Sequence, residues 1–143
     1  MGFAFFLLFL AGIAFVLLQG RQMGQLGGGG AELTGINWRP VTVGGETIPE
    51  DSGMFILFEI DGSIKGNAGC NTFFGSLEQS KTGLGVGPLG TSRKACAEVI
   101  MSREATFLDA VQKTADLESG RDSMSLLDDN GSILARFVIG GND

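Results

Sequence analysis

The sequence contains no histidine and no tyrosine, and it has only two cysteines and one tryptophan. Histidine is the usual general base and the usual partner of serine and cysteine nucleophiles, so its absence excludes Ser-His and Cys-His catalytic arrangements. A zinc site takes about four ligands, usually Cys or His, so a metal is not expected either. Acidic residues are plentiful, but they cluster where turns and solvated edges normally place them. We therefore expect no enzymatic activity, no metal and no cofactor.

Basic residues are scarce as well, with ten Lys and Arg against sixteen Asp and Glu. From residue 32 onward, nine basic residues (all except Arg21) face all sixteen acids, which gives a formal charge of 9 − 16 = −7. A surface that follows a phosphate backbone needs clustered Lys and Arg, and the only adjacent basic pair is Arg93-Lys94. Nucleic acid is therefore not an expected partner.

The apolar residues are concentrated near the amino terminus, where residues 3–18 form an uncharged run of Phe, Leu, Ile, Val, Ala and Gly. A helix over residues 1–20 would rise about 1.5 Å per residue and just reach the roughly 30 Å thickness of a membrane's hydrocarbon core. No Lys or Arg precedes the run, and no small-x-small cleavage site follows it. These features favour an uncleaved anchor. The alternatives are a cleaved signal with a secreted product, and a helix buried in a soluble core.

Three parts are predicted along the chain: a membrane anchor or signal segment (residues 1–20), a Gly-rich flexible linker (21–31) and one folded domain (32–143). The linker contains too little apolar surface to offset the entropy of ordering it. Charge gives no orientation for the anchor, because only the terminal amine and Arg21 flank it.

The pattern of the domain predicts several strands, one helix and a final hairpin. Segments rich in β-branched and aromatic residues, bounded by turn signals, predict strands at 36–43, 54–60, 63–66, 72–77, 84–89, 123–127 and 132–139. Residues 98–115 contain no Gly or Pro and carry one apolar side, which predicts a helix with its other face in water. Parallel strands would need more crossover helices. We therefore predict an α+β fold in which a small, mostly antiparallel curved sheet packs with one main helix.

The two cysteines, Cys70 and Cys96, are most simply a disulfide if the domain lies in an oxidising compartment. A second interpretation is a reactive thiol at Cys96, because Arg93, Lys94 and the start of the helix would lower its pKa. Two buried free thiols are the third interpretation.

Several spaced motifs carry a family resemblance. The stretch 66–75 reads GNAGCNTFFG, which has the form G-x-x-G-C-N-x-[FY]-x-G, and residues 35–38 read GINW. Residues 89–96 are similar to a T-x-[RM]-x-[AM]-C stretch, and residues 104–108 match E-x-x-F-L. Together they resemble the META domain family, which includes the bacterial heat-shock-inducible protein HslJ and trypanosomatid META proteins. The resemblance covers roughly residues 33–139.

This resemblance implies a small, mostly antiparallel sheet curved around one helix, usually behind a signal or lipid anchor. Family members are linked to stress responses, antibiotic tolerance, motility or secretion, without an established reaction. This chain has no cysteine for lipid attachment near the apolar run, so the N-terminal helix would be the anchor. We expect a location at the bacterial inner membrane, with the domain on the periplasmic or extracytoplasmic side.

The expected function is that of a non-enzymatic, membrane-tethered envelope protein that binds a protein or apolar partner in stress response or antibiotic tolerance. One alternative is a thiol-dependent redox or acyl-transfer activity at Cys96, and another is a barrel that encloses a small apolar ligand. Motif and candidate binding residues are Trp38, Gly69, Asn71, Phe73, Phe74, Arg93, Lys94 and Glu104.

Individual roles are predicted for some of these residues. Gly69 permits unusual dihedral angles in a turn, and the side chain of Asn71 is expected to bond its own backbone. We interpret Trp38 as a core residue rather than as part of a binding face. Phe73 and Phe74 should point to opposite faces of a strand.

Overall fold

The computed structural model describes residues 33–141. Its strands are β1 (Trp38–Val43), β2 (Glu46–Thr47), β3 (Phe55–Phe58), β4 (Ser63–Asn67), β5 (Thr72–Gln79), β6 (Leu84–Val86), β7 (Gly90–Thr91), β8 (Asp116–Ser119), β9 (Ser123–Leu127) and β10 (Ile133–Ile139). Helix α1 spans Glu98–Gln112, and a short 3-10 turn spans Glu50–Ser52. The hydrophobic helix predicted at residues 1–20 and the linker at 21–31 lie outside the described residues. Within the described part of the chain, no helix has the length and apolar character needed to cross a membrane.

The strands form one sheet in the order β6-β5-β4-β3-β1-β10-β9-β8, with β2 beside β1 and β7 beside β5, and all these pairs are antiparallel. The two ends of this order come together. The Ser80 hydroxyl, in the turn between β5 and β6, donates to the carbonyl of Ala115, which directly precedes β8. The Leu84 N–H donates to the Asp116 carboxylate at 3.4 Å. The sheet is therefore curved and nearly closed, and the predicted α+β fold with one main helix is confirmed.

Tight turns connect the neighbouring strands, and their residues fit the backbone that each turn needs. Gly44 and Gly45 join β1 to β2 with φ values of 57° and 83°, which only glycine adopts without strain. In the last hairpin the Asp128 carboxylate accepts hydrogen bonds from the N–H groups of Asn130 and Ser132, both at 2.9 Å. The final hairpin predicted from the Asp128–Gly131 turn is confirmed.

The core lies between the inner face of the sheet and one side of α1. The Phe107 ring on the helix makes an edge contact with Phe73 at 5.8 Å between centroids, and it lies 6.1 Å from Phe137. Trp38 is 1% exposed, and its indole N–H donates to the carbonyl of Leu33 at 3.0 Å. The core interpretation of Trp38 is thus confirmed. Because these rings fill the interior, the barrel alternative would need ligand space where side chains already lie.

Phe73 and Phe74 lie on opposite faces of β5, as predicted, with exposed fractions of 2% and 65%. Inside, the Phe73 ring covers its cross-strand partner Gly66, where a Cβ would lie 2.6 Å from the ring. Outside, the Phe74 ring covers its partner Gly90, where a Cβ would lie 2.2 Å from the ring. Each glycine therefore makes room for an aromatic ring on its own face of the sheet.

Several predicted boundaries differ from the structure. The strand predicted at 54–60 ends at Phe58, and Ile60 lies in an exposed turn. The segment 84–89 contains only the short β6, and β7 follows it. The helix predicted to continue to residue 115 ends at Gln112, because the Ala115 N–H bonds the carbonyl of Leu127 and starts the edge strand β8. The short polar strands β2 and β8 were missed, since neither shows an apolar alternation.

The neighbouring Phe73 and Phe74 allow a matched test of the core. Phe73→Ala should lower the free energy of unfolding by about 3 to 5 kcal/mol, because it leaves a cavity against Phe107. Phe74→Ala should lower it by less than about 1 kcal/mol, since this ring is 65% exposed on the outer face of the sheet. Urea unfolding of both variants measures the two losses. Equal losses would contradict the assignment of the two faces.

Candidate functional site

The site begins at the turn between β4 and β5, where the G-C-N sequence lies. Asn67 accepts a hydrogen bond from the Gly69 N–H at 2.7 Å, and the Ala68 N–H donates to the carbonyl of Asn71 at 2.8 Å. Gly69 has a φ of 115°, so its predicted unusual backbone is confirmed. The prediction that Asn71 bonds its own backbone was wrong, because Asn67 has that role. The side chain of Asn71 is thereby left to bond other segments.

Glu104 reaches this turn from the inner side of α1 and is only 5% exposed. Its Oε2 accepts hydrogen bonds from the backbone N–H groups of Cys70, at 3.0 Å, and Asn71, at 2.6 Å. Its Oε1 accepts a third from Asn71 Nδ2 at 2.7 Å. A carboxylate paired in this way satisfies two backbone donors that the turn could not otherwise use. Glu104 thus joins the helix to the turn.

These bonds also set the protonation of Glu104. Burial by itself raises the pKa of the carboxyl group, because it removes water from the charged form. The hydrogen bonds from the Asn71 side chain, the Asn71 N–H and the Cys70 N–H outweigh burial and bring the pKa below its ordinary value of 4.5. Glu104 is therefore a carboxylate at neutral pH, not a proton donor.

Asn71 connects this turn to the segment before the helix and is 3% exposed. Its Oδ1 accepts from the Lys94 N–H at 2.6 Å and from the Ser92 hydroxyl at 2.9 Å. Its Nδ2 donates to the Lys94 carbonyl at 3.1 Å as well as to Glu104. An amide side chain has two donors and two acceptor positions, so Asn71 uses all four. No other side chain of its size could make the same set of bonds.

The disulfide between Cys70 and Cys96 joins the same two segments, with a Cα–Cα distance of 6.0 Å. The predicted disulfide is confirmed, and the described residues contain no free cysteine. The thiol-dependent alternative requires a free Cys96, which this structure does not provide. We call the joined residues Cys70, Asn71, Ser92, Lys94, Cys96 and Glu104 the clasp.

Arg93 and Lys94 occupy the segment that the clasp holds, and both side chains are exposed. Only the backbone of Lys94 takes part in the clasp. Neither side chain forms a salt bridge with another residue in the range 33–141. The two positive charges are therefore presented to solvent from a fixed backbone.

The polar groups of the clasp are bonded to one another or to the backbone beside them. Among residues 33–141, no group of His, Cys, Asp or Glu could hold a metal, and no buried polar side-chain atom lacks a hydrogen-bond partner. The structure brings together Gly69, Asn71, Glu104 and the Arg93-Lys94 segment, whereas it separates Trp38 and Phe73 in the core from Phe74 outside. Asn67 and Ser92 also belong to this site, but the sequence motifs did not predict them as site residues. The signal for Ser92 was its place just before Arg93-Lys94 in the second motif.

The described residues form a nearly closed antiparallel sheet with one helix. A disulfide and a buried carboxylate join the β4–β5 turn to the helix and to the segment before it. These features define a small disulfide-containing α+β domain. The model of the META domain family matches residues 31–139, so the chain belongs to the META domain family. No curated protein gives a significant match.

Two solved structures share the fold. A protein solved by NMR is 19% identical, with a TM-score of 0.60 over 78% of this chain and 95% of the other. A protein from Burkholderia xenovorans, also solved by NMR, is 23% identical, with a TM-score of 0.52 over 78% of this chain and 85% of the other. At these identities the likeness concerns the fold alone.

Replacing Glu104 with glutamine should destabilise the domain in a pH-dependent way. The new amide nitrogen would face the Asn71 Nδ2 donor, so at about pH 7 the variant should lose roughly 2 to 3 kcal/mol of unfolding free energy. Because the folded pKa of Glu104 is lowered, its carboxylate stabilises the wild type fully above the ordinary value of 4.5. That stabilisation is lost as pH falls through the folded pKa.

The difference in unfolding free energy between wild type and Glu104→Gln should therefore stay constant above the ordinary pKa of 4.5 and shrink as the pH falls below it, as urea titrations would show. Glu98→Gln, on the exposed start of the same helix, is the matched control and should change little. A Glu104→Gln difference that stays constant with pH would contradict an ionised Glu104 in the clasp.

The disulfide should contribute a large part of the stability. The cysteines are separated by 26 positions. Cys70→Ser combined with Cys96→Ser should lower the unfolding free energy by about 3 to 4 kcal/mol, from the entropy regained by the unfolded chain. Adding reductant should lower the stability of the wild type to a similar value and leave the double variant unchanged. A double variant as stable as the oxidised wild type would refute this role.

Proposed function

We propose that this META domain chain is a non-enzymatic, membrane-tethered protein of the cell envelope that binds a partner under stress. Its anchor would be the apolar run at residues 3–18, which the linker separates from the domain. The domain would lie on the periplasmic or extracytoplasmic side of a bacterial inner membrane. The stress or antibiotic-tolerance role rests on the family resemblance.

The non-enzymatic proposal is supported by one observation: the sulfurs and polar side chains of the clasp are already bonded within the protein. The two sulfurs are bonded to each other, Asn71 has all its hydrogen-bonding positions occupied, and Glu104 holds three donors. A nucleophile or general base needs a free lone pair within reach of a substrate. The residues with the most reactive side chains in the motifs are therefore proposed to have a structural role.

Binding is supported by what the fold leaves outside. Phe74 is 65% exposed, whereas the adjacent Phe73 is buried in the core. A large exposed ring on a regular strand is more typical of an interaction surface than of a folding requirement. An open groove beside α1 is, by contrast, lined largely by polar residues such as Glu46, Ser102 and Arg103.

The extracytoplasmic location is supported by the disulfide and by the apolar run together. Disulfides persist in oxidising compartments and are rare in the cytosol. A run of this length without charge is typical of a segment that enters a membrane. Each observation alone would leave the compartment open, but both favour the same side of the membrane.

The tether can be tested on the full chain in native membranes. Two charges placed in the apolar run, Leu10→Lys with Val16→Lys, should release the protein from carbonate-washed membranes, because each lysine at a helix centre costs about 3 kcal/mol on insertion. The matched control puts the same charges in the linker, Gln22→Lys with Gln25→Lys, and should stay in the membrane pellet.

Intact mass of the wild type, after alkylation with and without reductant, completes the test. The expected mass includes residues 1–20, and both cysteines should resist alkylation until they are reduced. A mass that lacks the apolar run would contradict the anchor. Ready alkylation of Cys96 without reductant would contradict the structural role and revive the thiol-dependent alternative.

A further inference from the structure

We infer that the outer surface around Phe74 docks onto a membrane that contains anionic phospholipid. This surface consists of the side chains of Lys65, Thr72, Phe74, Arg93 and Lys94, and we call it the Phe74 face. The inference deepens the proposed function and rests on its membrane tether. It names the partner as the lipid surface to which the proposed anchor would tether the chain.

The sheet register places these side chains together. Lys65 is the cross-strand partner of Phe74, and Gly90 pairs with Phe74 on its other side. Thr72 lies two residues before Phe74, which is about 6.6 Å along the same face of β5. The Thr72 N–H donates to the Ser92 hydroxyl at 3.1 Å, and Arg93 follows Ser92 directly. The segment that carries the basic pair therefore begins beside Thr72, at the end of β5 where Phe74 also lies.

The charge of this surface is opposite to that of the domain. Residues 32–143 carry a formal charge of 9 − 16 = −7, yet three of the nine basic residues belong to the Phe74 face. Arg93 and Lys94 form no salt bridge in the range 33–141, and only Lys65 is paired, with Glu59. Near an anionic bilayer, most of the surface would be repelled and this part attracted. The domain would consequently orient with the Phe74 face toward the lipid.

The clasp fixes the backbone that presents the basic pair. Lys94 is held by Asn71 through both its N–H and its carbonyl, and Cys96 is held by the disulfide. The Ser92 N–H also donates to the carbonyl of Thr72 at 3.0 Å. Docking would therefore order side chains only and not the loop, which reduces its entropic cost. In this way the clasp contributes to binding without touching the ligand.

Lipid suits this surface better than a protein partner. A stable protein interface buries about 800 Å² on each side around several anchors, whereas the Phe74 face has one large exposed apolar side chain. One aromatic ring flanked by cations is sufficient for interfacial contact with lipid when a second anchor is present. The linker from residue 21 to residue 32 spans at most about 40 Å, so the anchored domain would stay close to the bilayer.

The experiment uses the full chain reconstituted in vesicles, with tryptophan at the surface to be tested. Trp38 is the only native tryptophan and is 1% exposed, so it gives a constant background. Phe74→Trp should show blue-shifted emission and quenching by brominated lipid in vesicles of phosphatidylcholine with phosphatidylglycerol. Both effects should be absent in phosphatidylcholine alone and should weaken in high salt. Ile133→Trp, at the start of β10 far along the sheet, is the matched control and should show neither effect.

The role of the positive charges of Arg93 and Lys94 is tested in the Phe74→Trp variant. Arg93→Gln with Lys94→Gln should abolish the quenching of Phe74→Trp, because it removes the unpaired cations and leaves the backbone bonds of Lys94 intact. Adding Asp122→Asn with Asp129→Asn, both exposed and outside the Phe74 face, restores the two lost units of positive charge and should not restore the quenching. This separates a local basic surface from an effect of net charge.

Three outcomes would overturn the inference. Equal quenching at positions 74 and 133 would mean that the tether alone brings the domain to the bilayer in no fixed orientation. Quenching that is independent of anionic lipid would remove the electrostatic argument. No quenching at position 74, together with cross-linking of that position to an envelope protein, would assign the surface to a protein partner. Loss of the chain itself from the vesicles would instead refute the proposed tether, since every quenching measurement requires retained protein.

Discussion

The buried carboxylate of Glu104 is the interaction on which the rest of the site depends. It is 5% exposed, and it accepts hydrogen bonds from the backbone of Cys70 and from both the backbone and the side chain of Asn71. The turn between β4 and β5 directs its N–H groups into the domain, where water cannot satisfy them. The helix supplies an acceptor with a negative charge, and the turn supplies enough donors to keep that charge stable. Each would be costly to bury without the other.

The disulfide and the Asn71 bonds extend this arrangement to a third segment, residues 92–97. Asn71 is the shared member, since its amide reaches Glu104 on one side and Lys94 on the other. The strand hairpin, the segment before the helix and the helix are thereby joined at one end of the sheet. The covalent bond acts mainly on the unfolded chain, whereas the hydrogen bonds act on the folded one. The two contributions therefore support the same geometry by different routes.

The fold class was predictable because it depends on local signals, and the cysteine pairing was predictable because the chain has only two cysteines. Alternating apolar residues, turn dipeptides such as Asn130-Gly131 and a helix without Gly or Pro specify elements one at a time. The short strands β2 and β8 carry no such alternation, and tertiary pairing alone defines them. The partners of Asn71 lie 21 to 33 positions away, so no local rule could separate it from Asn67, which makes the turn bond instead. The position of Phe74 outside and Phe73 inside was predictable from strand alternation.

The motif that marks the META domain family in this chain is thus a folding motif. Its cysteine, the asparagine that follows and the glutamate of the helix motif are bonded within the clasp. Differences in function are expected on residues that the clasp presents without using, because their side chains are free to change. In this chain those positions are Arg93, the side chain of Lys94 and the outward ring of Phe74. The clasp fixes the backbone positions of such side chains, and the chemistry of the side chains determines which partner they bind.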